Sequence, residues 1–189
     1  MKLIQARSKT FRVMPILEEW RMNDPAYRKV LLDVLMDPAW RTQIDCLRIG
    51  GNDLMGHQAI RRDDEEYTIY DTVVGQLIFN IVNEFRGIGG FEITAPVFEC
   101  FAPEYDGLFE REVRRSVLNE LFGQTVIHPR HIKLLTNWYA PDGKDVASAR
   151  EILSSSAAVN GRDGKMDEFA THYKWAKRIL TREELFSTR

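Results

Sequence analysis

The chain is poor in cysteine, poor in net charge and free of long apolar runs, and each shortage excludes a class. Two cysteines in 189 residues, Cys46 and Cys100, form no CxxC pair and no disulfide framework. That usage fits a reducing compartment, and the expected location is the cytoplasm. Formal net charge is −2 and the isoelectric point is near 6.1. Such a balance creates no global field for nucleic acid or a membrane surface. No apolar run approaches the roughly 18 residues that span a bilayer. The first twelve residues carry Lys2, Arg7, Lys9 and Arg12 with no acid. They lack an apolar stretch, so a secretory signal is not expected, although a very short transit peptide would fit. Internal repeats and low-complexity tracts are missing too. No GxSxG, phosphate-loop or GxGxxG pattern stands between a strand and a helix. The cluster Arg86–Gly90 ("RGIGG") follows a helix instead of preceding one, so it reads as a helix stop and turn, not as a phosphate cradle.

What is present is an alternation. Apolar strands are predicted over 11–17, 44–50, 91–98 and 124–128. Between them, Tyr27, Val30, Leu31, Val34 and Leu35 recur at helical spacing, as do Ile69, Val73, Leu77, Ile81 and Phe85. The stretch "LFEREVRRSVLNELFG" is a further helix, stopped by Gly123. Two more helices are predicted over 144–158 and 168–181, joined by the polar turn "NGRDG". Strand followed by helix, repeated, implies parallel strands with right-handed crossovers. Four such units make half of a (β/α)₈ barrel, which needs about 250 residues. A complete barrel does not fit, so the expected class is α/β, either a small open sheet or about four βα units of a barrel over 1–143, then a helical extension over 144–189.

Sites in such folds form where strands end and helices begin. Glu18 and Glu19 follow the first strand and Asp53 follows the second, in "GGNDLMG". Neighbouring strand ends lie about 4.8 Å apart. Two carboxylates there could share Mg²⁺, with water and substrate oxygens completing the shell. Asp53 could equally cap the next helix, and Glu18 could be a solvated loop acid. Gly50 and Gly51 would let a substrate approach the backbone. Arg48, inside an apolar strand, wants an anionic partner. That partner is either a substrate carboxylate or an acid of the fold such as Asp45. His57, His128, His131 and His172 lack the spacing of a zinc site, and His128 reads as structural at its strand end.

Four segments in order, "VMPILEEW", "LRIGGNDLMG", "GQTVIHPRHI" and "DGKMDEFATHYKWAKRIL", resemble the citrate lyase beta-subunit-like (CitE-like) branch of the HpcH/HpaI aldolase superfamily. The likeness runs from about Thr10 to Phe186 and is to the C-terminal half of that family's TIM barrel. "IYDT" and "TAPVFE" look more like a divergent carbon–carbon lyase subgroup found in bacterial stress-response clusters.

The resemblance implies that Glu18, rather than Glu19, and Asp53 bind Mg²⁺. It implies that Gly50 and Gly51 border the substrate. Gly164, Lys165, Met166, Asp167 and Glu168 resemble a segment that in relatives reaches over a neighbouring subunit's site. Its acid, Glu168 or the rival Asp167, would assist proton transfer. Two departures stand out: the loop between Glu18 and Asp53 is longer than usual, and the family's N-terminal half is missing.

The implied activity is Mg²⁺-dependent cleavage or condensation of a carbon–carbon bond in a 2-oxo acid or a carboxylate-bearing acyl-CoA, through an enolate. The expected assembly is a homo-oligomer, or a pairing with an N-terminal half-barrel. The alternatives are a non-catalytic fragment or interaction subunit of such an enzyme, and a small open α/β binding protein.

Overall fold

The computed structural model describes residues 11–62, 66–155, 159–162 and 165–186. Two compact units divide the chain, one up to His131 and one from Ile132.

In the first unit, β1 (Ile16–Leu17), β2 (Leu47–Ile49) and β3 (Ile93–Thr94) form a parallel sheet in that order. Ile16 lies opposite Arg48, Leu17 opposite Ile49, and Leu47 opposite Ile93. Single parallel bridges extend the ladder from Val13 to Ile44 and from Ala95 to Gln124. The expected fourth strand over 124–128 is reduced to that last bridge. The helices between the strands are α1 (Pro25–Met36), α2 (Pro38–Arg41), α3 (Gly51–His57) and α4 (Val73–Ile81). A π-helical segment, Val82–Ile88, continues α4, and α5 (Asp106–Leu118) follows β3.

Local sequence explains these starts. "DPA" occurs at 24–26 and again at 37–39. In each, the aspartate side chain accepts from the alanine amide, at 2.9 and 2.8 Å, with proline in the first turn. Before α4, Thr68 and Asp71 form a reciprocal capping box.

Leu17, Leu47, Ile49 and Ile93 turn one sheet face onto the helices, where Leu54, Ile78, Ile81 and Phe85 complete the core. Side chains alternate across a strand. Ile16, Arg48 and Thr94 therefore share the other face, the one a closed barrel would enclose.

The second unit contains α7 (Gly143–Ser154) packed on α8 (Phe169–Phe186) through Val146, Ala149, Ile152, Ala176 and Ile179. Between them, β4 (Val159–Arg162) and β5 (Lys165–Glu168) pair antiparallel, where the sequence reading expected a polar turn with the last helix starting at 168. The junction of the units falls within α6 (Pro129–Tyr139).

Candidate active site

Glu18 stands one residue past β1, and Asp53 lies in the first turn of α3, just past β2. Both carboxylates are exposed and border one point above Gly50. A Cβ at Gly50 would lie 2.4 Å from the Cβ of Glu18, 2.7 Å from its Oε2 and 3.4 Å from Oδ2 of Asp53. The structure thus brings Glu18, Gly50 and Asp53 together. Asp53 is not a cap: the cap position is Gly50, without a side-chain bond. In the first turn its charge faces the positive end of the helix dipole.

Glu19 is committed elsewhere. Its Oε1 accepts from Arg21 Nε and Nη2 at 2.9 and 2.8 Å, and its Oε2 accepts from the Tyr27 hydroxyl at 2.5 Å. The tyrosine bond, then the arginine bonds, hold its pKa below the usual carboxylate range. The adjacent Glu18 is exposed and makes no such side-chain bonds among the described residues. His57 meets the backbone carbonyl of Glu18 at 3.2 Å and steadies that turn.

The two glycines have different tasks. Gly50 donates its amide to Leu17 O at 3.1 Å, which removes it as an oxyanion donor. Gly51 opens α3, where first-turn amides lack intrahelical acceptors. A Cβ on Gly51 would press 2.6 Å from Cβ of Pro96 and 2.8 Å from Cδ1 of Ile69, so tight packing demands glycine there.

Arg48 donates to Thr125 Oγ1 at 3.0 Å, while Asp45 pairs with Arg12. The suggested Arg48–Asp45 pair does not form, and Arg48 has no carboxylate partner among the described residues. Asn52 and Glu99 escaped the sequence reading of this site. Asn52 Nδ2 donates to Glu99 Oε2 at 3.0 Å and so links the α3 turn to the loop after β3. The "VFE" end of the third predicted strand was the only hint of Glu99.

His128 stacks on Phe101 with centroids 5.4 Å apart, and the buried His131 stacks on Phe109 at 4.1 Å. Burial lowers the pKa of His131, keeping it neutral. In the second unit, Glu168 ends β5; its Oε2 accepts from Thr171 Oγ1 at 2.8 Å, and its amide donates to His172 Nδ1 at 3.0 Å. Asp167 pairs with Asn160 across the two strands. The Asp167 side chain and Gly164 lie outside the described residues. Among the described residues, no group of three or more His, Cys, Asp or Glu side chains gathers as a metal cage. Two carboxylates on adjacent strand ends, with hard oxygen donors and open space around them, do fit an ion that takes its remaining ligands from water and substrate.

A parallel sheet with helices between its strands and acids at the strand ends defines a piece of a barrel enzyme. The chain belongs to the C–C bond lyase family of the TIM-barrel fold, whose model matches residues 1–188. It is 38% identical over 66 residues to the L-malyl-CoA/beta-methylmalyl-CoA lyase of Cereibacter sphaeroides, over 35% of this chain and 20% of that protein. Its fold is similar to that of CitE from Mycobacterium tuberculosis, solved with magnesium, acetoacetate and coenzyme A. There the TM-score is 0.66 at 16% identity, over 92% of this chain and 61% of that one. A citrate lyase from Burkholderia xenovorans LB400 gives a TM-score of 0.69 at 14% identity, over 100% of this chain and 57% of that one. The chain thus spans less than two thirds of the length of each of these relatives. No helix among the described residues is long and apolar enough to cross a membrane.

Proposed function

We propose that this chain carries the metal-binding half of a carbon–carbon lyase or aldolase acting on a 2-oxo acid or a carboxylate-bearing acyl-CoA. The observation that carries the reading is the convergence of the Glu18 and Asp53 carboxylates over Gly50, at the ends of adjacent parallel strands. Glu18 and Asp53 would hold Mg²⁺, which supplies Lewis-acid polarisation of a substrate carbonyl and stabilises enolate charge. Gly50 keeps the space above the strand end clear. The Gly51 amide donates toward substrate oxygen. Arg48, uncommitted to any carboxylate of the fold, meets a substrate carboxylate. Glu168 or Asp167, from a neighbouring copy of the chain, moves the proton at the substrate carbon, so the working form is an oligomer. The malyl-CoA lyase relative and the coenzyme A-bound CitE structure support an acyl-CoA substrate. Two free cysteines support a cytoplasmic setting.

A second reading rests on the sheet face that the described residues leave exposed. Met14 and Ile16 are 54% and 43% exposed on the side a closed barrel would fill. A non-catalytic interaction subunit, or one completed by a separate N-terminal half-barrel, would use that face for its partner.

Calorimetric titration of Mg²⁺ or Mn²⁺ into the chain, beside Glu18→Gln and Asp53→Asn, separates the readings. Binding lost in both variants is the expected result for the lyase. A wild type that binds neither ion sinks the metal assignment and turns attention to the interaction subunit.

A further inference from the structure

A second feature lies beside the candidate metal turn. A surface cavity of about 480 Å³ is lined by Arg61, Arg62, Glu99, Cys100 and Tyr105. It sits between the chain leaving α3 and the chain leaving β3, on the strand-end side of the sheet. One hydrogen bond joins it to the metal turn, because Glu99 accepts from Asn52, the residue before Asp53.

The cavity's charges are unevenly spent. Arg62 is buried and gives Nη1 and Nη2 to Glu112, which also accepts from the Ile69 amide at 2.9 Å. The Arg62 guanidinium lies over the Phe98 ring, 4.7 Å from its centroid. Its Nε is buried with no acceptor among the described residues. A buried N–H without an acceptor is a costly arrangement that a ligand oxygen or a water would relieve. Arg61 is exposed and has no acceptor or ion-pair partner among the described residues. Glu99 keeps its negative charge, because Asn52 is a neutral donor, so an anion in the cavity lies toward Arg61 and away from Glu99. Burial raises the Cys100 pKa and keeps its thiol neutral, so it adds no repulsion. The chain reaches this position through Ala59, whose φ of 55° lies in the left-handed region. A non-glycine residue there is strained, and such strain persists where the surrounding structure requires that path.

We propose that this cavity binds an oxyanion group of the substrate, phosphate or carboxylate, with Arg61 as the cation that grips it. The substrate would then stretch from the Glu18–Asp53 turn to Arg61, and Glu99–Asn52 would connect its two ends. The proposal rests on the lyase reading for the identity of the substrate. The anion chemistry rests on the cavity alone.

The test is calorimetry on the full chain with three probes: coenzyme A, pantetheine and acetoacetate. Pantetheine lacks the nucleotide phosphates, and acetoacetate carries only a carboxylate. Arg61→Gln should weaken coenzyme A binding about tenfold or more, the worth of one charge-assisted hydrogen bond, and leave pantetheine unchanged. Arg61→Lys should recover part of the loss. If the group is a carboxylate, acetoacetate is the probe that weakens in Arg61→Gln, and its single carboxylate then belongs to Arg61 in place of Arg48, so Arg48→Gln should leave acetoacetate binding unchanged. Equal binding of every probe by wild type and Arg61→Gln overturns the proposal, as does a wild type that binds none of them. Thermal midpoints of both variants should match the wild type, since Arg61 is exposed. Glu18→Gln, titrated without metal, keeps the two ideas apart: Arg61-dependent coenzyme A binding should survive there. If Mg²⁺ binding fails in every form while that dependence persists, the metal reading falls and the cavity stands.

Discussion

At Gly50 the backbone has φ −83° and ψ 72°, the inverse γ region, which residues with side chains also adopt. Room, not backbone freedom, is what excludes a larger residue. Gly50→Ala should push the Glu18 carboxylate aside and abolish Mg²⁺ binding, while far-ultraviolet circular dichroism stays unchanged. Gly51→Ala should act differently. Its Cβ would meet Pro96 and Ile69 in the core, and overpacking of that kind costs about 1–3 kcal/mol. A lowered urea midpoint would register it.

Tyr27→Phe tests the neighbouring glutamate. Because Glu19 titrates below its usual range when folded, its contribution is complete above the unfolded carboxylate pKa and fades as pH falls through the lowered folded value. The stability gap between wild type and Tyr27→Phe should therefore be constant near neutrality and close in acid. Denaturant melts across that range would show whether it does. The engagement of Glu19 was not legible, because local sequence carries nothing about Tyr27, eight residues away, reaching back to it.

Among the elements, α1 and the π-helical segment are tied by one pair. Arg28 is buried and gives Nε and Nη2 to the carboxylate of Glu84 at 2.7 and 2.8 Å, and Nη1 to Met22 O at 2.7 Å. Glu84 stays partly open to water, so Arg28→Met should cost about 2 kcal/mol by chemical denaturation, the scale of lost hydrogen bonds to a charged group. Neither this pair nor Arg62–Glu112 could be read from spacing, since their partners lie 56 and 50 residues apart.

The first three strands were legible because Leu47, Ile49 and Ile93 alternate into a core. The segment after Gly123 was not a full strand: Ile127 is 55% exposed, so apolar character there does not report burial. The β4–β5 pair was missed because "VNGRDGKMDE" is almost wholly polar and lacks the β-branched alternation that marks strands.

Among the described residues of the first unit, the helices cover one side of the sheet and leave the other side exposed at Met14 and Ile16. β1 is an edge strand of that sheet. Exposed apolar groups along an open edge invite another chain. Replacing Met14 and Ile16 with serine should reduce self-association in sedimentation velocity and change the thermal midpoint little, since both side chains are already largely in water.

The parallel order β1–β2–β3 also fixes a clamp at the candidate site. Gly50 donates its N–H to the carbonyl of Leu17, the residue before Glu18, and its own carbonyl accepts from the amide of Leu54, the residue after Asp53. Both acids are thus spaced by main-chain bonds that exist without any ion. Deuterium uptake at the Gly50 amide becomes a clock for that spacing. If the carboxylates are preset, uptake is already slow in the ion-free chain, and Mg²⁺ slows it only slightly further.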